Sequence, residues 1–142
     1  MTMFFAVVTV LQLFDLSVND GAFVESGNSG QWEYGVPTSG PVSDRFTWGT
    51  QLAGSYFGQA YDVLQVPLAD FDSASMPMLE VEHWYDIEGG DVAFFQVNNG
   101  SGWQNITPVY GYPNAEGFSG DSEGWVRHVV DLSTYPAGTG FR

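Results

Sequence analysis

Met78-Leu79-Glu80-Val81-Glu82-His83-Trp84-Tyr85 is the stretch whose pattern decides the fold class. Leu79, Val81, His83 and Tyr85 fall on one side of an extended backbone, and Glu80, Glu82 and Trp84 on the other. This period of two marks a half-buried β-strand with the first set turned to the core. Trp125-Val126-Arg127-His128-Val129-Val130-Asp131-Leu132 sets Val126, His128, Val130 and Leu132 against Trp125, Arg127, Val129 and Asp131. Both of its faces carry apolar area, as in a strand covered in part on two sides.

Outward from these two strands the same grammar continues. Further short runs rich in β-branched and aromatic residues are Ala22–Val24, Gln31–Tyr34, Ala60–Val66, Val92–Val97 and Gln104–Val109. Asn98-Asn99-Gly100-Ser101-Gly102 lies between two of them and predicts a β-hairpin, because these residues tolerate positive φ and form Asx turns. With 18 glycines and seven prolines as punctuation, no window sustains a 3.6-residue apolar period for three turns. The expectation is all-β, an antiparallel sandwich or barrel.

The chain of 142 residues, 44% of them hydrophobic and 16% aromatic, suits one domain with a real core. Seventeen Asp and Glu oppose only Arg45, Arg127 and Arg142, with no lysine, for a formal net charge of −14. A folded protein of 15.5 kDa exposes roughly 7,200 Å², or about one net negative charge per 500 Å². Such a surface repels phosphate, which excludes nucleic acid as a partner and disfavours anionic membranes. It suits a secreted or high-salt setting, and it suits cation binding by clustered carboxylates.

Cysteine is absent, so there is no disulfide framework, thiolate metal site or cysteine nucleophile. Met3–Leu11 is an apolar run too short to span a bilayer and without a basic flank. Its Val, Thr and Phe content reads as a buried strand, a truncated signal core being the other reading. Residues 1–12 are expected to be a strand or the remnant of a preceding module. Residues 13–142 are expected to form a single β-sandwich in which Gly138–Arg142 begins a further strand, with the last strands lacking.

Three sets of residues could carry chemistry. Asp86-Ile87-Glu88-Gly89-Gly90-Asp91 puts three carboxylates on a glycine-rich loop, the kind of oxygen donor set Ca²⁺ takes, with Glu25, Asp121 and Glu123 available from elsewhere. Its spacing is not that of an EF-hand, and a solvated acidic turn is the ordinary alternative. His83 and His128 both point inward, as core histidines held by hydrogen bonds. Aromatic residues beside glycine or proline, among them Trp48, Tyr56, Trp84, Tyr110 and Tyr112, could stack on sugars or grip a protein, or could plug the ends of the core. No nucleophile elbow, zinc-binding His-Glu-x-x-His or phosphate loop occurs. Carboxylate pairs such as Glu80/Glu82 and Asp86/Glu88 leave a glycosidase by inventory alone. The sequons at Asn99 and Asn105 arise too readily by chance to assign a compartment.

The order of several blocks resembles a known module. Trp32-Glu33-Tyr34-Gly35-Val36-Pro37-Thr38-Ser39-Gly40-Pro41 and Trp48-Gly49-Thr50-Gln51-Leu52-Ala53-Gly54-Ser55-Tyr56 are followed by His83-Trp84-Tyr85-Asp86-Ile87-Glu88 and Gly100-Ser101-Gly102-Trp103. Then come Gly111-Tyr112-Pro113, Gly124-Trp125 and Val130-Asp131-Leu132-Ser133. Together they are similar to the jelly-roll, MAM-like domains appended to immune-inhibitor-A and carboxypeptidase-T type metallopeptidases of bacteria, over about Ala22 to Arg142. The resemblance implies a concanavalin-like β-sandwich that serves adhesion, glycan or substrate binding, or packing against a neighbouring domain, sometimes with structural calcium. No peptidase zinc motif is present, so peptidase activity does not carry over. Asn98 and Asn99 stand where that module often has serine and aspartate, and its usual acidic final strand is missing here, which implies an open edge.

Three functions follow as expectations. The first is a non-catalytic accessory or adhesion module of an exported protein, binding a glycan or protein through Trp48, Tyr56, Trp84, Tyr110 and Tyr112. The second is a structural spacer holding Ca²⁺ with Asp86, Glu88, Asp91 and Glu25. The third is a carboxylate-dependent hydrolase using Asp86, Glu88 or Glu82.

Overall fold

The computed structural model describes residues 12–40, 44–68, 70–71 and 76–142. The expected strand Met3–Leu11 and the motif residue Pro41 lie outside the described residues. Among those described there is no helix, and eleven short strands form five small antiparallel sheets. They are β1 (Val24–Gly27), β2 (Trp32–Gly35), β3 (Thr47–Thr50), β4 (Asp62–Gln65), β5 (Met78–His83), β6 (Asp86–Ile87), β7 (Gln96–Asn98), β8 (Trp103–Asn105), β9 (Gly120–Asp121), β10 (Val126–Asp131) and β11 (Gly140–Phe141).

The two strands read first from the sequence turn out to be partners. β5 and β10 pair antiparallel with Leu79 beside Val130, Val81 beside His128 and His83 beside Val126. Alternation therefore brings both inward rows onto one face, where Val130 is fully buried. On the opposite face Glu80 meets Arg127 at 3.4 Å in an exposed ion pair, worth little by itself. The hairpin joins β7 to β8 with Asn98 opposite Trp103, and Asn98 Oδ1 accepts from the N–H groups of Gly100 and Gly102. Those bonds close the turn.

β11 adds to the other side of β7, placing Phe141 beside Val97 and, through a single bridge, against Val66. Phe71, Val97, Ile106, Val130, Leu132 and Phe141 form the buried cluster, with Leu79, Val81, Phe95 and Tyr135 packed around it. Within Gly138–Arg142, read from sequence as the start of a strand, Gly140–Phe141 forms β11 and carries Phe141 into the core.

One sequence expectation shifts, and one strand, β3, was not among the runs read from the sequence. Asp86–Ile87 was expected in a loop and instead pairs with Gly120–Asp121, which sets Asp86 directly opposite Asp121. β3 has no alternating run, because Gly49 interrupts it. It forms through its register with β2, where Tyr34 stands beside Trp48.

Candidate functional site

One end of the β5–β10 pair holds a ring-lined cluster. His83 Nε2 and His128 Nδ1 lie 2.9 Å apart, a hydrogen bond in which one neutral ring donates to the other. Their positions are diagonal across the strand pair, so register alone brings them together. Phe118, 2% exposed, packs edge-on to both rings and also touches Tyr85, Phe95 and Tyr112. Burial away from water, and the neighbouring His128, hold the His83 imidazole at about 4. Burial pushes His128 down as well. Both rings are accordingly neutral at pH 7, and each sequence-predicted core histidine is the other's partner.

Tyr112 belongs to the same cluster. Its hydroxyl accepts the Phe95 N–H at 2.8 Å and donates to the Ile106 carbonyl at 2.7 Å, tying the segment after β8 to that before β7. Burial raises its pKa.

The acidic turn is organised by Tyr56. The phenol donates to Asp91 Oδ2 at 2.8 Å and accepts the Glu88 N–H at 2.9 Å. Desolvation, then the bond to Asp91, raises the phenol's pKa. Asp86 leaves this turn on β6 and faces Asp121, whose Oδ1 accepts the Glu123 N–H at 2.6 Å. Glu25 stands apart on β1, opposite Leu64 of β4. Among the described residues no three carboxylate or histidine side chains converge as metal ligands.

The remaining aromatic candidates divide. Trp48 is half-buried, donates Nε1–H to the Asp20 carbonyl at 2.7 Å and stacks near Phe23 and Tyr34. Trp84 is half-buried beside Gly40, where a Cβ would lie 3.0 Å from the indole. Tyr110 is 91% exposed.

Sequence reasoning did not foresee two arrangements. Gln31, 1% exposed, reaches Ser29, Phe57 and Asp62, and Asp62 also accepts from Ser29 and Gly30. Burial would raise the Asp62 carboxyl, but these donors outweigh it and the net shift is downward. Arg142 lies over Trp103 at 4.3 Å, a pairing that depends on β11 joining β7. Neither has a sequence motif, since each joins residues far apart in the chain.

This geometry meets one informative relative. Over 128 residues the chain is 27% identical to Bacillopeptidase F of Bacillus subtilis (strain 168). The match covers 85% of this chain and 8% of that protein, so the chain corresponds to a small region of a much longer polypeptide. No family model matches it. No solved structure matches it either. Among the described residues no helix is long and apolar enough to cross a membrane.

Proposed function

We propose that the chain is a non-catalytic accessory module of a larger exported bacterial polypeptide, folded as a jelly-roll β-sandwich. It offers a contact surface to a glycan, to a protein or to a neighbouring peptidase domain. The observation that carries this reading is the match to 8% of a peptidase's length. The small antiparallel sheets around one apolar cluster support the two-layer packing of a sandwich. Exposed Tyr110 and Trp125 supply amphipathic contact area. The charge of −14 suits an extracellular place where salt screens self-repulsion.

The test has two arms. The purified chain should cleave neither casein nor a mixed peptide library. Deleting the segment from its full-length polypeptide should leave cleavage of a short fluorogenic peptide unchanged while altering turnover of a bulky substrate. Hydrolysis by the chain alone would overturn the reading.

A calcium-stabilised spacer is the second reading, favoured by the facing of Asp86 and Asp121 across β6 and β9. A cation near both carboxylates would relieve their repulsion, with Glu88, Asp91 or backbone carbonyls supplying further oxygens. Mass action then requires the melting midpoint to rise by several degrees from EDTA to millimolar Ca²⁺. An unchanged midpoint removes this reading.

A further inference from the structure

The outer face of the β11–β7–β8 sheet carries a recess that none of Trp48, Tyr56, Trp84, Tyr110 and Tyr112 lines. β7 buries Val97 and turns Gln96 and Asn98 outward, and the register sets Asn105 beside Gln96 and Trp103 beside Asn98. On the far side of β7, Gly140 stands beside Asn98. Its missing side chain leaves the space the Trp103 indole takes, for a Cβ there would lie 3.1 Å from Cη2. Arg142 covers one face of the ring at 4.3 Å, while its Nε donates to Gln96 Oε1 at 2.8 Å and its Nη2 to the Tyr61 hydroxyl at 3.2 Å. The indole is held before any ligand arrives, which lowers the ordering cost of binding.

The rest of the Trp103 surface forms one wall of a recess of about 270 Å³, completed by Gln65, Asn98, Gly100, Gly138 and Gly140. Asn98 Oδ1 is occupied by two backbone N–H groups, so its carboxamide is oriented with the Nδ2 hydrogens left as donors. Gln65 is exposed and brings a second amide. Among the described residues no charged one lines the recess.

We propose that this recess binds one pyranose ring of a neutral saccharide. The C–H groups on the face of a pyranose carry partial positive charge and suit the negative face of an indole. Two planar amides provide the donors and acceptors that fix hydroxyl groups, and glycines let a ring approach the backbone. The volume falls below the roughly 300–1,000 Å³ of pockets for drug-sized ligands, which fits one sugar ring of a longer chain. The net charge of −14 opposes acidic polysaccharides.

This inference rests on the accessory-module reading, because a sugar that was bound and cleaved would make the chain an enzyme. Isothermal titration calorimetry with cellohexaose, maltohexaose, mannohexaose and chitohexaose tests it, with polygalacturonate as the anionic comparison. At least one neutral hexasaccharide should bind, with Kd between about 10 µM and 1 mM, and polygalacturonate should not. Trp103→Ala should weaken binding at least tenfold. Since losing the indole also frees Arg142, Gln65→Ala serves as the variant that leaves the packing intact, and it should weaken binding about threefold or more. Failure of every neutral hexasaccharide to bind, or native affinity in Gln65→Ala, would overturn the proposal. Chromatography of the sugar after prolonged incubation separates the two readings: cleavage products sink the accessory role, whereas intact sugar without binding sinks only the recess.

Discussion

The histidine pair shows how a single proton can act on this fold. His83 titrates at about 4 when folded against 6.5 in a free chain. Between those values the unfolded chain holds a proton that the folded one refuses, so stability falls as pH drops from about 6.5 through about 4, and levels off below. Allowing for the part of the ring that solvent reaches, the loss is on the order of 2 kcal/mol. Melting midpoints between pH 7 and 4.5 should therefore decline, and His83→Gln should flatten that decline. The lowered carboxyls of Asp62 and Asp131 act later, since their stabilisation is lost only as pH falls through values below 3.8. At Tyr112 the hydroxyl is the link. Tyr112→Phe removes an acceptor for Phe95 and a donor to Ile106, and denaturant titration should show a loss of about 1–3 kcal/mol.

Elements here are short, so each depends on a few backbone constraints. β1 pairs with β4 through Gly27, whose φ is +141° and whose position admits no Cβ because the Tyr61 carbonyl oxygen occupies the space. Gly27→Ala should cost more than about 1 kcal/mol, and hydrogen exchange should locate the loosening in β1 and β4 while β5 and β10 stay protected. The β6–β9 pair has the opposite defect, Asp86 facing Asp121. Like charges directly opposite weaken a strand pair, so Asp121→Asn should raise stability in EDTA at low salt by a few tenths of a kcal/mol, seen as a higher melting midpoint. β10 and β5 need no such help. β5 alternates between exposed and half-buried through all six of its residues, whereas β10 keeps Val129 half-buried between His128 and Val130, so apolar area covers part of its second face.

For the whole molecule, a charge of −14 works against compactness, and stability should rise between about 10 and 150 mM NaCl as the screening length shrinks from about 30 to 8 Å. A flat salt response in thermal melts would contradict that. Its centre is less charge-sensitive: Phe118 packs against five rings, those of His83, Tyr85, Phe95, Tyr112 and His128, and Phe118→Ala should cost about 3–5 kcal/mol, a large share of a small domain's stability. The all-β class, the inward rows of β5 and β10, the Asn98–Gly102 hairpin and the acidic surface were all legible in the chain, because a period of two, turn chemistry and net charge are local or additive properties. Partnership was not. That His83 meets His128, that Tyr56 ties Asp91 to the Glu88 backbone, and that Arg142 covers Trp103 each depend on strand register and on β11 joining β7. Those contacts join residues 32 to 45 positions apart, and a pattern that repeats every two residues carries no information about which strand lies beside which. Only closure of the core around Val97, Val130 and Phe141 selects one register among many, and with it the surfaces the protein presents.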